Sequence, residues 1–207
     1  MTAVPSTPNP AAFGGTTLAA VEQDALSCSR CDLAVTRTQV VFGAGDPNAD
    51  LLLLGEGPGE QEDLTGVPFV GRSGMLLTQL IEGIELTRER VYICNVVKCR
   101  PPGNRDPRPD EIDACGPWLD EQLELIRPIV IITLGNFATK LMLATKEGIT
   151  KLRGREMELQ RPGARGVVGC VVVPTYHPAA VLRSGGRLLA ETRADFVKVK
   201  RLLRASG

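Results

Sequence analysis

Four strand-length runs of branched and apolar residues, at 50–54, 91–97, 129–134 and 168–173, recur along the chain with helix-length stretches between most of them. This alternation constrains the fold more than any other feature. Runs this continuously apolar, broken by few polar residues, suit strands buried on both faces, and intervening helical periodicity supplies the cover, so the pattern predicts a largely parallel sheet with helices on each side. Helices are expected over 74–84, 110–126, 136–144 and 187–203. The stretch "REMELQRPGARGVVGCVVVP" reads instead as two strands around a Pro-Gly turn, an antiparallel pair feeding the last parallel strand. The 207 residues hold one substantial core without requiring a second, and no internal repeat is visible. Residues 1–18, with "MTAVPSTPNPAAFGG", are expected to be a flexible tail, and 19–207 a single domain.

No apolar run approaches the length of a membrane span, and the first residues lack the basic opening and apolar stretch of a secretory signal. The expectation is a cytoplasmic protein without disulfides. The net charge of zero is unevenly distributed: residues 1–145 hold 11 Lys/Arg and 19 Asp/Glu, a balance of −8, and residues 146–207 hold 13 and 5, a balance of +8. A cationic third is most often a solvated face, but it is also how a neutral protein could hold a polyanion.

In sheets of this kind ligands gather beyond the carboxyl ends of the strands. Three loops qualify: "GEGPGEQED", "KCRPPGNRDPRPD" and "TYHPAAVLRSGG". The first follows Leu51–Leu54, as a phosphate-cradling loop would, yet it carries Glu56, Glu60, Glu62 and Asp63. Four carboxylates would repel a phosphate, so the glycines serve the turn alone or admit a ligand that is not an anion.

Six cysteines are present. Cys28 and Cys31 lie two residues apart in the polar "LSCSRCDL", where a core thiol gains little, and Cys99 and Cys115 flank a Pro/Arg-rich loop. Four thiolates suit tetrahedral zinc or an iron–sulfur cluster, and spacing does not choose between them. Cys94 and Cys170 fall inside strand-like runs and read as core thiols.

Taken together, "CSRC", "GEGPGEQEDLTGVPFVGRSG", "NVVKCRPPGNR", the interval from Cys99 to Cys115 and "PTYHPAAVLR" resemble, in order, the family 4 uracil-DNA glycosylases. The resemblance implies a three-layer α/β/α sandwich with a mainly parallel sheet and a [4Fe-4S] cluster on Cys28, Cys31, Cys99 and Cys115. It implies a base-excision repair hydrolase that flips uracil out of double- or single-stranded DNA, cuts its N-glycosidic bond and releases free uracil. A monomer at the nucleoid is the matching expectation. It also answers the question of the acidic loop, because uracil is a neutral ring. Gly55, Glu56 and Gly57 correspond to the turn that meets uracil, Phe69 to the aromatic under the flipped base, and Asn95 to the amide that reads its edge. An unpaired asparagine in an apolar strand otherwise costs about 1–3 kcal/mol. His177, the one histidine, corresponds to the donor to the uracil oxygen that gains charge.

The best-known branch of the superfamily has an aspartate where this chain has Gly57, so the assisting carboxylate does not transfer directly. Glu56 is the first candidate and Glu62 the second. Arg183 is expected on phosphates, and Val181 or Leu182 in the gap left by the flipped nucleotide. The interval after Cys99 contains no histidine, unlike a related branch that becomes covalently trapped on uracil-containing DNA. Two other functions suit the same residues: a glycosylase for another deaminated base such as hypoxanthine, and a non-catalytic cluster-bearing nucleic-acid binder.

Overall fold

The computed structural model describes residues 17–163 and 165–206. The expected tail at 1–18 lies outside the described residues except for its last two. Thr17 accepts a hydrogen bond from Ala20 N at 3.3 Å and caps α1 (Leu18–Leu26). There follow α2 (Leu33–Thr36), β1 (Ala44–Gly45), β2 (Leu51–Gly55), α3 (Glu60–Thr65), α4 (Arg72–Glu82) and β3 (Tyr92–Asn95). The chain continues through α5 (Pro109–Ile126), β4 (Val130–Leu134), α6 (Asn136–Leu143), α7 (Ile149–Leu152), β5 (Met157–Gly163) and β6 (Gly166–Thr175). It ends with α8 (Pro178–Ser184) and α9 (Gly186–Ser206).

The six strands form one sheet in the order β1-β3-β2-β4-β6-β5. The inner four are parallel, and β1 and β5 run antiparallel at the edges. Strand alternation divides the leucine run between two cores. Leu52 and Leu54 pack with Ile131 and Val172 beneath α1, α5 and α6, whereas Leu51 and Leu53 pack with Ile132 and Val173 beneath α4, α8 and α9. A three-layer α/β/α sandwich results, as expected. The antiparallel pair is present too, with a different turn: Pro162 and Gly163 sit in the ladder opposite Val167 and Gly166, so the chain reverses after them. On an edge strand the missing N–H of proline can face away from the ladder, which is why Pro162 is tolerated there.

From β2 the chain moves outward to β3, and from β4 it moves the opposite way to β6. Their carboxyl ends therefore splay into a crevice at this reversal, the place where open α/β sheets bind ligands. The charge asymmetry of the sequence is reduced in space. Arg161 pairs with Asp120 at 2.5 Å, Arg165 with Glu121 at 2.6 Å and Lys200 with Glu85 at 2.7 Å, each joining the cationic third to the acidic remainder. Arg153 pairs with Asp195, and Arg187 with Glu191. The C-terminal third is therefore not one open cationic face.

Leu53 is fully buried at the centre of this arrangement. Leu53→Ala should lower the unfolding free energy by about 2–5 kcal/mol in denaturant titrations. A loss below about 1 kcal/mol would mean that β2 is not the centre of the core.

Candidate active site

The crevice is a cleft of about 690 Å³ lined by Glu56, Gly57, Glu62, Phe69, Asn95, His177 and Arg183, among others. Gly55 ends β2 opposite Asn95. A Cβ on Gly55 would lie 2.2 Å from Asn95 Oδ1 and 2.7 Å from the Phe69 ring, so only glycine lets those two side chains close over the strand end. Gly135, after β4, has φ +94°, and a Cβ there would stand 2.9 Å from that of His177. Gly55 and Gly135 thus serve close approach of neutral side chains.

Phe69 is buried with a left-handed φ of +54°, a conformation costing of order 1–3 kcal/mol for a non-glycine residue. Its loop is pinned from several sides. The Arg88 guanidinium donates to Pro68 O at 2.7 Å, and Gly74 makes room for the Phe69 carbonyl, which a Cβ would meet at 1.8 Å. Glu62 accepts from Gly59 N at 3.1 Å, Val70 N at 3.0 Å and Gly71 N at 3.1 Å, tying the start of α3 to the start of α4 on either side of Phe69. With its oxygens engaged by three N–H groups, Glu62 is a clamp on this loop rather than the free carboxylate expected of a catalytic group.

Asn95 is 1% exposed, and its Oδ1 is the one buried side-chain nitrogen or oxygen among the described residues without a hydrogen-bond partner. The Phe69 and His177 rings stand 5.9 Å apart, tilted by 36°. Chain geometry dictates the tautomer of His177: Nδ1 accepts from Ala179 N at 3.1 Å, leaving Nε2 to carry the hydrogen. Burial and the nearby Arg183 charge push its pKa down to about 4, so the ring is neutral at physiological pH.

Glu56 lies half-buried, and its pKa is pushed up to about 7, first by burial and then by the charge of Asp106 and a hydrogen bond with it. Sequence reasoning did not single out Asp106. It lies fifty positions away in a loop dominated by arginine and proline, and no spacing rule links it to Glu56. Arg183 lines the cleft, and Leu182 is 43% exposed beside it. Val181 is buried against α4, on the inward face of α8, and is unavailable as a wedge.

Cys28, Cys31, Cys99 and Cys115 line a second pocket, walled by Ala25, Leu33, Val40 and Trp118. Three of the four sulfurs receive N–H donors: Trp118 Nε1 to Cys28 at 3.4 Å, Arg37 to Cys99 at 3.5 Å, and Lys98 N to Cys115 at 3.2 Å. Burial raises the Cys31 and Cys99 thiols and pushes Cys115 to about 12. Among the described residues, no three His, Cys, Asp or Glu side chains are grouped as ligands for a single metal ion. Cys94 and Cys170 lie in β3 and β6, away from this pocket, as expected of core thiols.

Residues 42–204 match the uracil DNA glycosylase superfamily. The chain is 44% identical to the type-4 uracil-DNA glycosylase of Archaeoglobus fulgidus, over 88% of its own length and 91% of the relative's. It is 43% identical to the type-4 enzyme of Thermotoga maritima, over 90% and 95%. A type-5 uracil-DNA glycosylase of Thermus thermophilus is 33% identical over 77% and 76%. The chain belongs to the uracil-DNA glycosylase superfamily, in its type-4 branch.

Proposed function

We propose that the protein is a DNA repair hydrolase that takes uracil out of the helix, cleaves its N-glycosidic bond and leaves an abasic site. The observation that carries this reading is the unpartnered Asn95 Oδ1, buried between Gly55, Phe69 and the cleft. A buried acceptor without a donor costs about 1–3 kcal/mol. The N3–H of uracil is a donor of the right kind, and the ring is flat enough to lie on Phe69. Extrahelical binding of this sort is how enzymes reach a base inside a duplex.

Bond cleavage leaves negative charge on the departing base and positive charge on the sugar. His177 Nε2–H supplies a fixed, neutral donor for the uracil oxygen, an interaction that strengthens as charge develops. Glu56, once ionised, stabilises the sugar cation or orients water; only its protonated form is hydrogen-bonded to Asp106, and that bond is released on ionisation. Arg183 contacts phosphate and Leu182 fills the vacated stack. No helix among the described residues is long and apolar enough to cross a membrane.

The four cysteines fit the [4Fe-4S] cluster that membership of the type-4 branch supports: they share one pocket, and three of their sulfurs receive N–H donors, as cluster thiolates do. A bound [4Fe-4S] cluster supplies cross-links between α1, α2, the loop after β3 and α5, and so fixes the loop that carries Asp106.

Release of free base from oligonucleotides bearing uracil, hypoxanthine or neither tests the reading directly. Uracil alone should be released, and release of hypoxanthine in its place would reassign the pocket. Asn95→Asp should weaken uracil release while relatively favouring cytosine, whose edge presents an amino group. Unchanged uracil release by this variant would make Asn95 structural.

His177→Ala should bind uracil-containing DNA nearly normally and release base about 100- to 1,000-fold more slowly in single turnovers. The ionised form of Glu56 is the useful one and its pKa is raised, so the rate should climb with pH through about 7. His177, with its pKa lowered to about 4, stays neutral across that range. Glu56→Gln should slow the reaction and flatten this limb; a limb that persists belongs to another group.

Purified protein should be brown, with iron and sulfide in equal amounts near four per chain. Cys28→Ala or Cys115→Ala should lose both colour and solubility, whereas Cys170→Ala should keep them. Stoichiometric zinc without iron in anaerobically prepared protein would overturn the assignment.

A further inference from the structure

Lys98 is about as buried as a lysine can be, at 1% exposure, and lies between the two sites just described. Its ammonium donates to the backbone carbonyl of Asn95 at 2.7 Å and to Gln122 Oε1 at 2.5 Å. The Gln122 amide in turn donates to Phe42 O at 2.8 Å and to the Tyr92 hydroxyl at 3.1 Å. Filling space alone would favour an apolar side chain here, because a buried cation is expensive unless hydrogen bonds satisfy it. The position of its first acceptor shows what the cation does.

Asn95 ends β3, and the chain leaves the sheet there. On one side Val96 N still bonds to Gly55 O at 3.0 Å. On the other side β1 pairs only with Tyr92 and Ile93, so no strand reaches Asn95. Lys98 takes the place of that missing strand by binding the Asn95 carbonyl. A side-chain amide meets a base edge at hydrogen-bond distance only if the backbone that carries it is fixed in place. We infer that Lys98 is the positioning residue for base recognition, holding the Asn95 peptide so that Oδ1 stays aimed at the base.

This inference rests on the reading of Asn95 as the uracil-binding residue, and its test separates the two. Inhibition by free uracil is compared with inhibition by 3-methyluracil, whose methyl group removes the donor to Oδ1. The parent protein should prefer uracil clearly. Lys98→Met retains the aliphatic stem and the backbone N–H to Cys115, and because the Lys98 side chain also lines the cysteine pocket, the iron content of the variant is compared with the parent's before inhibition is read. This variant should lose about tenfold in uracil inhibition, with 3-methyluracil unchanged. Lys98→Met/Gln122→Leu removes both buried polar partners and is the foldable alternative should the single variant be insoluble; it should show the same collapse of the ratio. A purely structural lysine would lower the melting temperature and leave the ratio as in the parent, and that result overturns the inference. A parent protein indifferent to the 3-methyl group would instead overturn the role of Asn95, and that of Lys98 with it.

Discussion

At the carboxyl end of β2 a missing methyl group decides what the protein can hold. Gly55 lets the Asn95 amide and the Phe69 ring meet over the strand terminus, at positions that any Cβ would occupy. The surrounding structure is arranged to keep that approach. Four leucines bury β2 on both faces, Glu62 and Arg88 hold the Phe69 loop in a left-handed turn, and Gly135 lets His177 close from the far side. The strain at Phe69 is tolerable because these contacts over-determine it.

Desolvation then sets the chemistry. The same burial pushes an acid and a base in opposite directions: Glu56 rises to about 7 and His177 falls to about 4, each toward its uncharged form. A pocket with a neutral imidazole and a carboxyl near its titration point suits a neutral ring that becomes an anion only as its bond breaks. The neighbouring carboxylates are compatible with this because they are occupied. Glu62 is held by backbone amides and Asp106 is paired with Glu56.

The cysteine pocket and the base cleft are two ends of one short segment. From Asn95 to Cys99 the chain passes from the residue proposed to read the base, through Lys98, to a cysteine of the second pocket. Lys98 touches both ends, by its ammonium and by its backbone N–H. One residue thereby joins the cysteine pocket to the strand end at the cleft.

The sequence by itself determined the class of fold, because apolar runs separated by helical stretches leave few alternatives to a parallel sheet covered on both faces. Its motifs, through their resemblance to a known family, also pointed to Glu56, Phe69, Asn95 and His177, which the fold brings to one cleft, and to four cysteines, which it brings to one pocket. What it left open depended on distance along the chain. Asp106 acts on Glu56 from fifty positions away. Glu62 and Glu56 are equally acidic on paper, and only the folded chain shows that backbone amides hold Glu62 while Glu56 lies half-buried beside Asp106. Val181 and Leu182 are adjacent and similar, but a helix turns them to opposite sides, burying one and exposing the other. The two charge blocks are separate only in the linear chain, and folding pairs much of one with the other. In each case tertiary structure decided, because burial and electrostatics act through space and fall off with separation in ångströms, not in residues.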